Sequence, residues 1–218
     1  MTQAKAAETP AKNLIRFNIQ NMKYAFPTAD GEFSAFESLG TAKKLALEVD
    51  ASDKQIYGDG ECIIYYNNEK GKTGTATLNM ICDAYEIACG RKMKLAVGLA
   101  DIKPTKNVSH VIYYEICEMN GDNEITVAKG MLFGVKSTRP SESYDQTTDD
   151  INESSFDLPL IIKGTPLLDA DGSEYKDAKG NKITVWNVLV TPDMAGYETF
   201  GDKVELPKKG TDAEIPAE

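Results

Sequence analysis

The sequence predicts a mainly β protein: a two-sheet β-sandwich with one short flanking α-helix. Three observations carry that expectation. Apolar and polar residues alternate with a period of two through most of the chain, which marks half-buried antiparallel strands. Segments rich in Asn and Gly separate the alternating runs and supply turn geometry. Only residues 83–90 combine helical spacing with helix punctuation.

Taken in order, residues 13–24 and 44–49 are the first two strand candidates. Residues 61–66 (E-C-I-I-Y-Y) and 72–80 (K-T-G-T-A-T-L-N-M) read as a hairpin across the turn Asn67-Asn68-Glu69-Lys70-Gly71. In the second of these strands Thr73, Thr75, Thr77 and Asn79 share one face, and Gly74, Ala76, Leu78 and Met80 share the other. A second hairpin joins residues 110–118 to 124–135 through a tight turn at Asn120-Gly121. Its return strand is expected to place Ile125, Val127, Met131, Phe133 and Val135 on one face. Phe156, Leu158, Leu160 and Ile162 alternate in a further strand. Residues 183–191 (I-T-V-W-N-V-L-V-T) are apolar on both faces and read as a central strand.

The helix is expected to start at Asp83 as N-cap, with Glu86 three residues on completing a capping box. Ala84, Tyr85, Ala88 and Cys89 form its apolar stripe, and Gly90 stops it. Cys82 and Cys89 read as core packing.

The 218 residues suit one domain, placed at residues 13–195, with an N-terminal arm at 1–12 and a polar C-terminal tail at 196–218. Residues 50–60 and 140–155 read as long polar loops. The second carries five acids and no base, which suits solvent or a partner. Hydrophobic residues make up 41%, enough to build a core. No apolar run approaches the roughly 18 residues of a membrane span, and residues 1–12 lack a signal-peptide core. The net charge of −10 argues against a nucleic-acid grip, which needs basic patches.

Motifs that would carry chemistry fail on spacing. Gly71-Lys72-Thr73 lacks the phosphate-loop glycine five residues earlier, where Tyr66 stands. Gly58-Asp59-Gly60 lacks the third glycine of a dinucleotide fingerprint. Asp169-Ala170-Asp171-Gly172 has Glu174 where a calcium loop requires glycine, so an Asx turn is expected instead. Asn107-Val108-Ser109 and Asn152-Glu153-Ser154 match the glycosylation triplet without a signal peptide to support them. Cys62, Cys82, Cys89 and Cys117 have no Cys-x-x-Cys pairing, and His110 is the single histidine. No catalytic, metal or cofactor-binding residue is expected.

Several segments, in order, resemble the major tail tube protein family of siphophages that infect Gram-positive bacteria. Asn21-Met22-Lys23-Tyr24-Ala25 resembles the family's N-x-x-Y-A strand, and residues 43–49 (K-K-L-A-L-E-V) its second strand. Ile56-Tyr57-Gly58-Asp59-Gly60, Tyr65-Tyr66-Asn67-Asn68 and Gly74-Thr75-Ala76-Thr77-Leu78 resemble the loop, strand and return strand before its short helix. Val135-Lys136-Ser137-Thr138-Arg139-Pro140 resembles its S-x-R-P strand end, followed by an acidic loop and the strand at 155–164. The resemblance covers residues 13–191 and not the Lys208-Lys209 tail.

This resemblance implies a tail-tube sandwich that assembles into hexameric rings, stacked as a hollow conduit for DNA at ejection. It implies a virion protein made in the host cytoplasm, with itself, the tape measure protein and the tail terminator protein as partners. DNA would pass only transiently, and no enzymatic activity or membrane is involved. The threonine face of 72–80 suits a bore, being β-favouring and uncharged. Glu61, Thr73, Thr75, Thr77 and Asn79 are therefore expected to face the lumen. Asp50, Asp53, Tyr57, Asp59, Glu142, Tyr144, Asp145, Asp149 and Asp150 are expected in inter-subunit loops. Two alternatives stand beside this reading. One is the inner tube of a contractile tail or injection device. The other is a β-sandwich binding or adhesion module with Tyr65, Tyr66, Tyr113 and Tyr114 as a sugar platform, against which ordinary strand packing of these tyrosines is favoured.

Overall fold

A computed structural model describes residues 14–58, 61–106, 108–143, 155–177 and 179–210. The chain order is β1 (Ile15–Ala25), β2 (Glu37–Ser38), β3 (Gly40–Gly58), β4 (Glu61–Ile81), α1 (Asp83–Ala88), β5 (Lys92–Lys94), β6 (Leu99–Asp101) and β7 (His110–Met119). There follow β8 (Ile125–Ser137), β9 (Ser141–Ser143), β10 (Ser155–Ile162), β11 (Thr165–Pro166), β12 (Thr184–Val185) and β13 (Asn187–Val190). The fold is mainly β, antiparallel and sandwich-like, with one short helix, as the alternation predicts.

The principal sheet runs β2-β1-β7-β8-β10-β4-β3, with β13 added to β8 and β9 to β10. Its two ends meet. β2 pairs with β1 at Lys23↔Ser38 and Tyr24↔Glu37. One residue later the Leu39 amide donates to the Met22 carbonyl (2.9 Å), and the Leu39 carbonyl accepts from Cys82 N–H (2.9 Å). Gly40 then pairs with Ile81 of β4. The segment 37–41 thus bonds to β1 on one side of a corner and to β4 on the other, so the sheet closes on itself at this corner, and the rest of β3 keeps an unpaired outer edge among the described residues. Only glycine fits the corner: Gly40 has φ of 145°, and a Cβ there would lie 1.9 Å from the Met80 carbonyl oxygen.

One core fills the enclosed space. Met22, Tyr24, Ala76, Leu78, Ile112, Tyr114, Leu132, Val135, Leu158, Leu160 and Ile162 meet there, and Tyr85 of α1 and Cys89 at its C-cap join them from one end. A second cluster lies on the opposite face of β7 and β8. Val111, Tyr113, Met131 and Phe133 are covered by Phe33, Phe36, Val188, Phe200 and Val204. Part of the segment placed in the polar C-terminal tail packs on the domain: Phe200 and Val204 enter this cluster, and the Lys209 amide donates to the Leu168 carbonyl (2.7 Å). Lys209 also places its ammonium 4.2 Å from the centre of the Tyr175 ring.

The second hairpin forms with Met119 opposite Ile125, across a five-residue loop at 120–124 in place of the tight turn expected at Asn120-Gly121. Asn120 organises its turn. Its side-chain Oδ1 accepts from the amides of Asp122 (3.0 Å) and Glu124 (2.9 Å). Replacing Asn120 with alanine leaves both amides without that acceptor. The expected cost is about 1 kcal/mol, measured as a lower urea midpoint at unchanged slope. An unchanged midpoint would sink this account of the turn.

Several expectations are corrected. Residues 61–66 and 72–80 do not pair with each other; both belong to the continuous strand β4, whose partner is β3. The turn expected at 67–71 is a bulge instead. Asp50 pairs with Gly71 and Ala51 with Glu69, leaving Lys70 as the extra residue. Residues 50–58 are strand rather than loop. Met80 points outward, 59% exposed, because a register shift between Thr41 and Ala42 inserts Asn79 and moves Ile81 into the core. Val135 does not share a face with Met131 and Phe133. Gly134 takes a left-handed conformation (φ 63°), and Val135 turns into the main core. Residues 183–191 break at Trp186 into β12 and β13, and β13 pairs only with β8. The helix N-cap is Cys82, with no side-chain capping bond. Asp83 instead pairs with Lys92 at 2.9 Å, and Glu86 is buried against Arg91. The Asx turn stands: Asp171 Oδ1 accepts from Ser173 N–H (2.9 Å) and Oγ–H (2.7 Å), which holds its carboxyl below the ordinary value.

Candidate assembly surface

The largest feature that the core does not explain is the outer half of the β3–β4 hairpin. β10 covers β4 only from Lys72 to Leu78. Beyond Gly71 the two strands run on alone as a ribbon, through pairs such as Lys54↔Tyr66, Gln55↔Tyr65 and Ile56↔Ile64 up to Gly58↔Glu61. Eight residues of β3 take part, a projection of about 25 Å. Ile56, Tyr57, Ile63, Tyr65 and Tyr66 are all exposed on it, Ile63 at 66%. A bare two-stranded ribbon is marginal in water, and exposed aliphatic and aromatic side chains on one invite a partner. The Tyr57 hydroxyl donates to Gln55 Oε1. A hydrogen bond to Asp53 raises the Tyr65 hydroxyl above its ordinary value.

The ribbon continues into an open sheet edge. From Lys44 to Asp50 β3 keeps unbroken register with β4, and among the described residues no strand bonds its other side. β1 also has a free edge, but two bulges interrupt it, at Asn18 (φ 50°) and Asn21 (φ 52°). Bulges blunt an edge against further pairing; the β3 edge has none over Lys44–Asp50.

The residues singled out from sequence fall as follows. Thr73, Thr75 and Thr77 lie on the outward face of β4, half-buried between β3 and β10. Thr77 donates to Asp157 Oδ1 at 2.7 Å. Asn79 starts on that face, but its Oδ1 is buried with no hydrogen-bond partner. Glu61 lies apart from the threonines, exposed at the outer end of the ribbon. Asp50 sits at the ribbon base, and Asp53 and Tyr57 lie on it. Glu142 is in β9, opposite Phe156. Asp59, Tyr144, Asp145, Asp149 and Asp150 lie outside the described residues. Of the four tyrosines weighed as a platform, Tyr113 and Tyr114 are buried, while Tyr65 and Tyr66 are exposed on the ribbon.

Polar chemistry concentrates beneath α1, where the sequence reading had no candidate. His110 is 1% exposed. Its Nδ1 faces the Val108 carbonyl (3.2 Å), which can only accept, so Nε2 accepts from the Tyr85 hydroxyl (2.9 Å). Ser137 Oγ donates to that hydroxyl oxygen (2.6 Å) and accepts from Arg91 Nη2 (3.1 Å). Arg91 also donates to the Thr138 carbonyl and lies 3.1 Å from Glu86 Oε1, both side chains 2% exposed. Burial raises the Glu86 carboxyl above its ordinary value and lowers His110 to about 4. It also pushes the Cys89 thiol up, away from the thiolate that nucleophilic attack requires.

A cleft of about 360 Å³ opens beside this cluster, lined in part by Arg91, Lys106 and Arg139. Both guanidinium groups are already engaged by protein. Arg139 donates to the carbonyls of Arg91 (3.1 Å) and Ile102 (2.6 Å) and approaches Asp101 at 3.2 Å. The cluster acts as a polar bracket that fixes α1 and the segment after it to the end of the barrel. The S-x-R-P stretch contributes the Ser137 and Arg139 side chains and the Thr138 carbonyl to it.

A scan against protein-family models finds no match to this chain, and a search of curated proteins finds none.

Proposed function

We propose that this chain is a structural subunit of a bacteriophage tail tube, assembling as hexameric rings that stack into the conduit for DNA ejection. The observation that carries the reading is the ribbon joined to an unblocked sheet edge on a domain whose own core is already closed. A monomer gains nothing from an exposed apolar ribbon, whereas a ring closes by adding each subunit's edge to its neighbour's sheet. Head-to-tail contacts of this kind close by rotation and leave no free edge inside the ring. The net charge of −10 suits a wall that DNA slides past. The half-buried threonine face beside the β3 edge is the candidate bore surface, with the tape measure and tail terminator proteins as further partners. The exposed Tyr65 and Tyr66 favour a second reading, a sugar-binding module, in which the ribbon would carry the ligand platform.

The test is assembly of purified protein, followed by electron microscopy and sedimentation as concentration rises. The intact chain is expected to form rings or tubes of constant diameter. A variant in which residues 51–70 are replaced by a two-residue turn is expected to keep its cooperative unfolding and to form no tubes. An intact protein that stays monomeric at every concentration overturns the tube reading. A ribbonless variant that still forms tubes removes the ribbon from it. Specific retention on a glycan array without self-association would favour the second reading.

A further inference from the structure

The acidic ribbon has an oppositely charged counterpart at the other end of the same strand. β4 is 21 residues long, at most about 70 Å. Its first residues form the ribbon; its last lead through α1 into the small hairpin β5–β6. The tip of that hairpin is turned by the Leu95 amide donating to the Gly98 carbonyl (3.0 Å). It is a knob of bare apolar side chains: Met93, Leu95 and Leu99 are exposed, and Val97 is 91% exposed. Residues 91–106 carry five basic side chains and one acid, a formal +4 in a chain of −10.

Arg91 is neutralised by Glu86 and Lys92 by Asp83. Lys94, Lys103 and Lys106 are exposed and make no ion pair among the described residues. The ribbon stretch 50–70 is the reverse, with five acids and two bases. Its Asp50, Glu61 and Glu69 likewise make no ion pair there.

Resting on the tube reading, we infer that the β3–β4 ribbon of one copy docks on the β5–β6 knob of the next. The partner is a second copy of this chain. Ribbon and knob sit at opposite ends of one strand, so a single chain cannot bring them together. Two copies can, and each addition presents a fresh ribbon and a fresh knob, the geometry of an open head-to-tail stack. Opposite net charge orients the encounter, and the apolar side chains of both parts lose water on contact. Like-charged alternatives, ribbon on ribbon or knob on knob, are repelled.

Charge reversal on full-length protein tests this. One variant carries Lys94→Glu, Lys103→Glu and Lys106→Glu, which takes residues 91–106 from +4 to −2, so that ribbon and knob are both acidic. The other carries Glu61→Lys with Glu69→Lys, which takes residues 50–70 from −3 to +1, so that both are basic. Each alone is expected to need at least about tenfold more protein than wild type to assemble, with the deficit shrinking as salt rises. Mixed one to one, they are expected to assemble near the wild-type concentration, because each ribbon then meets a knob of opposite sign. Restoration by mixing also establishes that both variants fold. If each variant assembles alone like wild type, or if mixing restores nothing, the docking inference falls while wild-type tubes keep the tube reading intact. A wild-type protein that never self-associates overturns both.

Discussion

Replacing Arg91 with methionine is expected to destabilise the folded protein by about 3–5 kcal/mol, the usual penalty for removing one partner of a buried ion pair. The cost does not come mainly from losing attraction. Glu86 remains 2% exposed, with its carboxylate facing the space that the guanidinium filled. The Thr138 carbonyl and Ser137 Oγ lose their donor at the same time. The carboxyl responds by taking up a proton, which burial already favours. Urea unfolding at pH 7 measures the loss. Adding Glu86→Gln to the methionine variant is expected to recover a large part of it, since no charge is then left buried. A loss under about 1 kcal/mol, or no recovery in the double variant, would show that the bracket beneath α1 contributes little to stability.

Stability is also expected to fall by about 3 kcal/mol as pH drops from 6.5 to 4, through His110 alone. Burial depresses the folded imidazole from 6.5 to about 4, against a smaller opposing contribution from the Val108 carbonyl. Between those values the unfolded chain binds a proton that the folded protein refuses. The stabilisation is fully present above pH 6.5 and is lost as pH falls through the window, at about 1.4 kcal/mol per pH unit. Glu86 acts in the opposite sense. Its folded carboxyl is raised above 4.5, so the folded state takes that proton first and offsets part of the loss. The imidazole is therefore isolated by difference. His110→Gln keeps a hydrogen-bonding side chain opposite Tyr85 and cannot titrate. Its stability relative to wild type is expected to be constant above pH 7 and to improve steadily from pH 6.5 to 4. Parallel stability curves for the two proteins would refute the assignment.

What the sequence made legible follows from local rules. Period-two alternation located β10, which buries Leu158, Leu160 and Ile162 on one regular face, while β7 and β8, buried on both faces, are marked by their runs of β-forming residues. Alternation failed where register changes within a strand. Nothing in Thr-Leu-Asn-Met announces that Asn79 is extra, so Met80 was assigned inward. Nothing in Phe-Gly-Val announces the left-handed Gly134 that turns Val135 inward.

The ribbon was missed for a different reason. Asn67-Asn68-Glu69-Lys70-Gly71 has the composition of a turn, and pairing with β3 overrides that preference by absorbing one residue as a bulge. The absence of proline throughout 40–81, with Asp59-Gly60 at its centre, was the available signal for one long hairpin. The polar bracket was beyond reach, because Tyr85, Arg91, His110 and Ser137 are distant in sequence and only closure of the sheet brings them together. The basic bias of 91–106 was visible, but its meaning depends on where β4 begins and ends.

The unbroken course of β4 has a mechanical consequence. A partner gripping the ribbon would pull along the axis of a strand whose stretch from Lys72 to Leu78 is hydrogen-bonded to β3 on one side and β10 on the other. Tension along that axis loads both ladders in shear, so their bonds resist together rather than parting one at a time as in peeling. Strain entering at the ribbon would reach the barrel wall without passing through a flexible linker. A filament of such subunits would bend by sliding its contacts, while each barrel kept its shape.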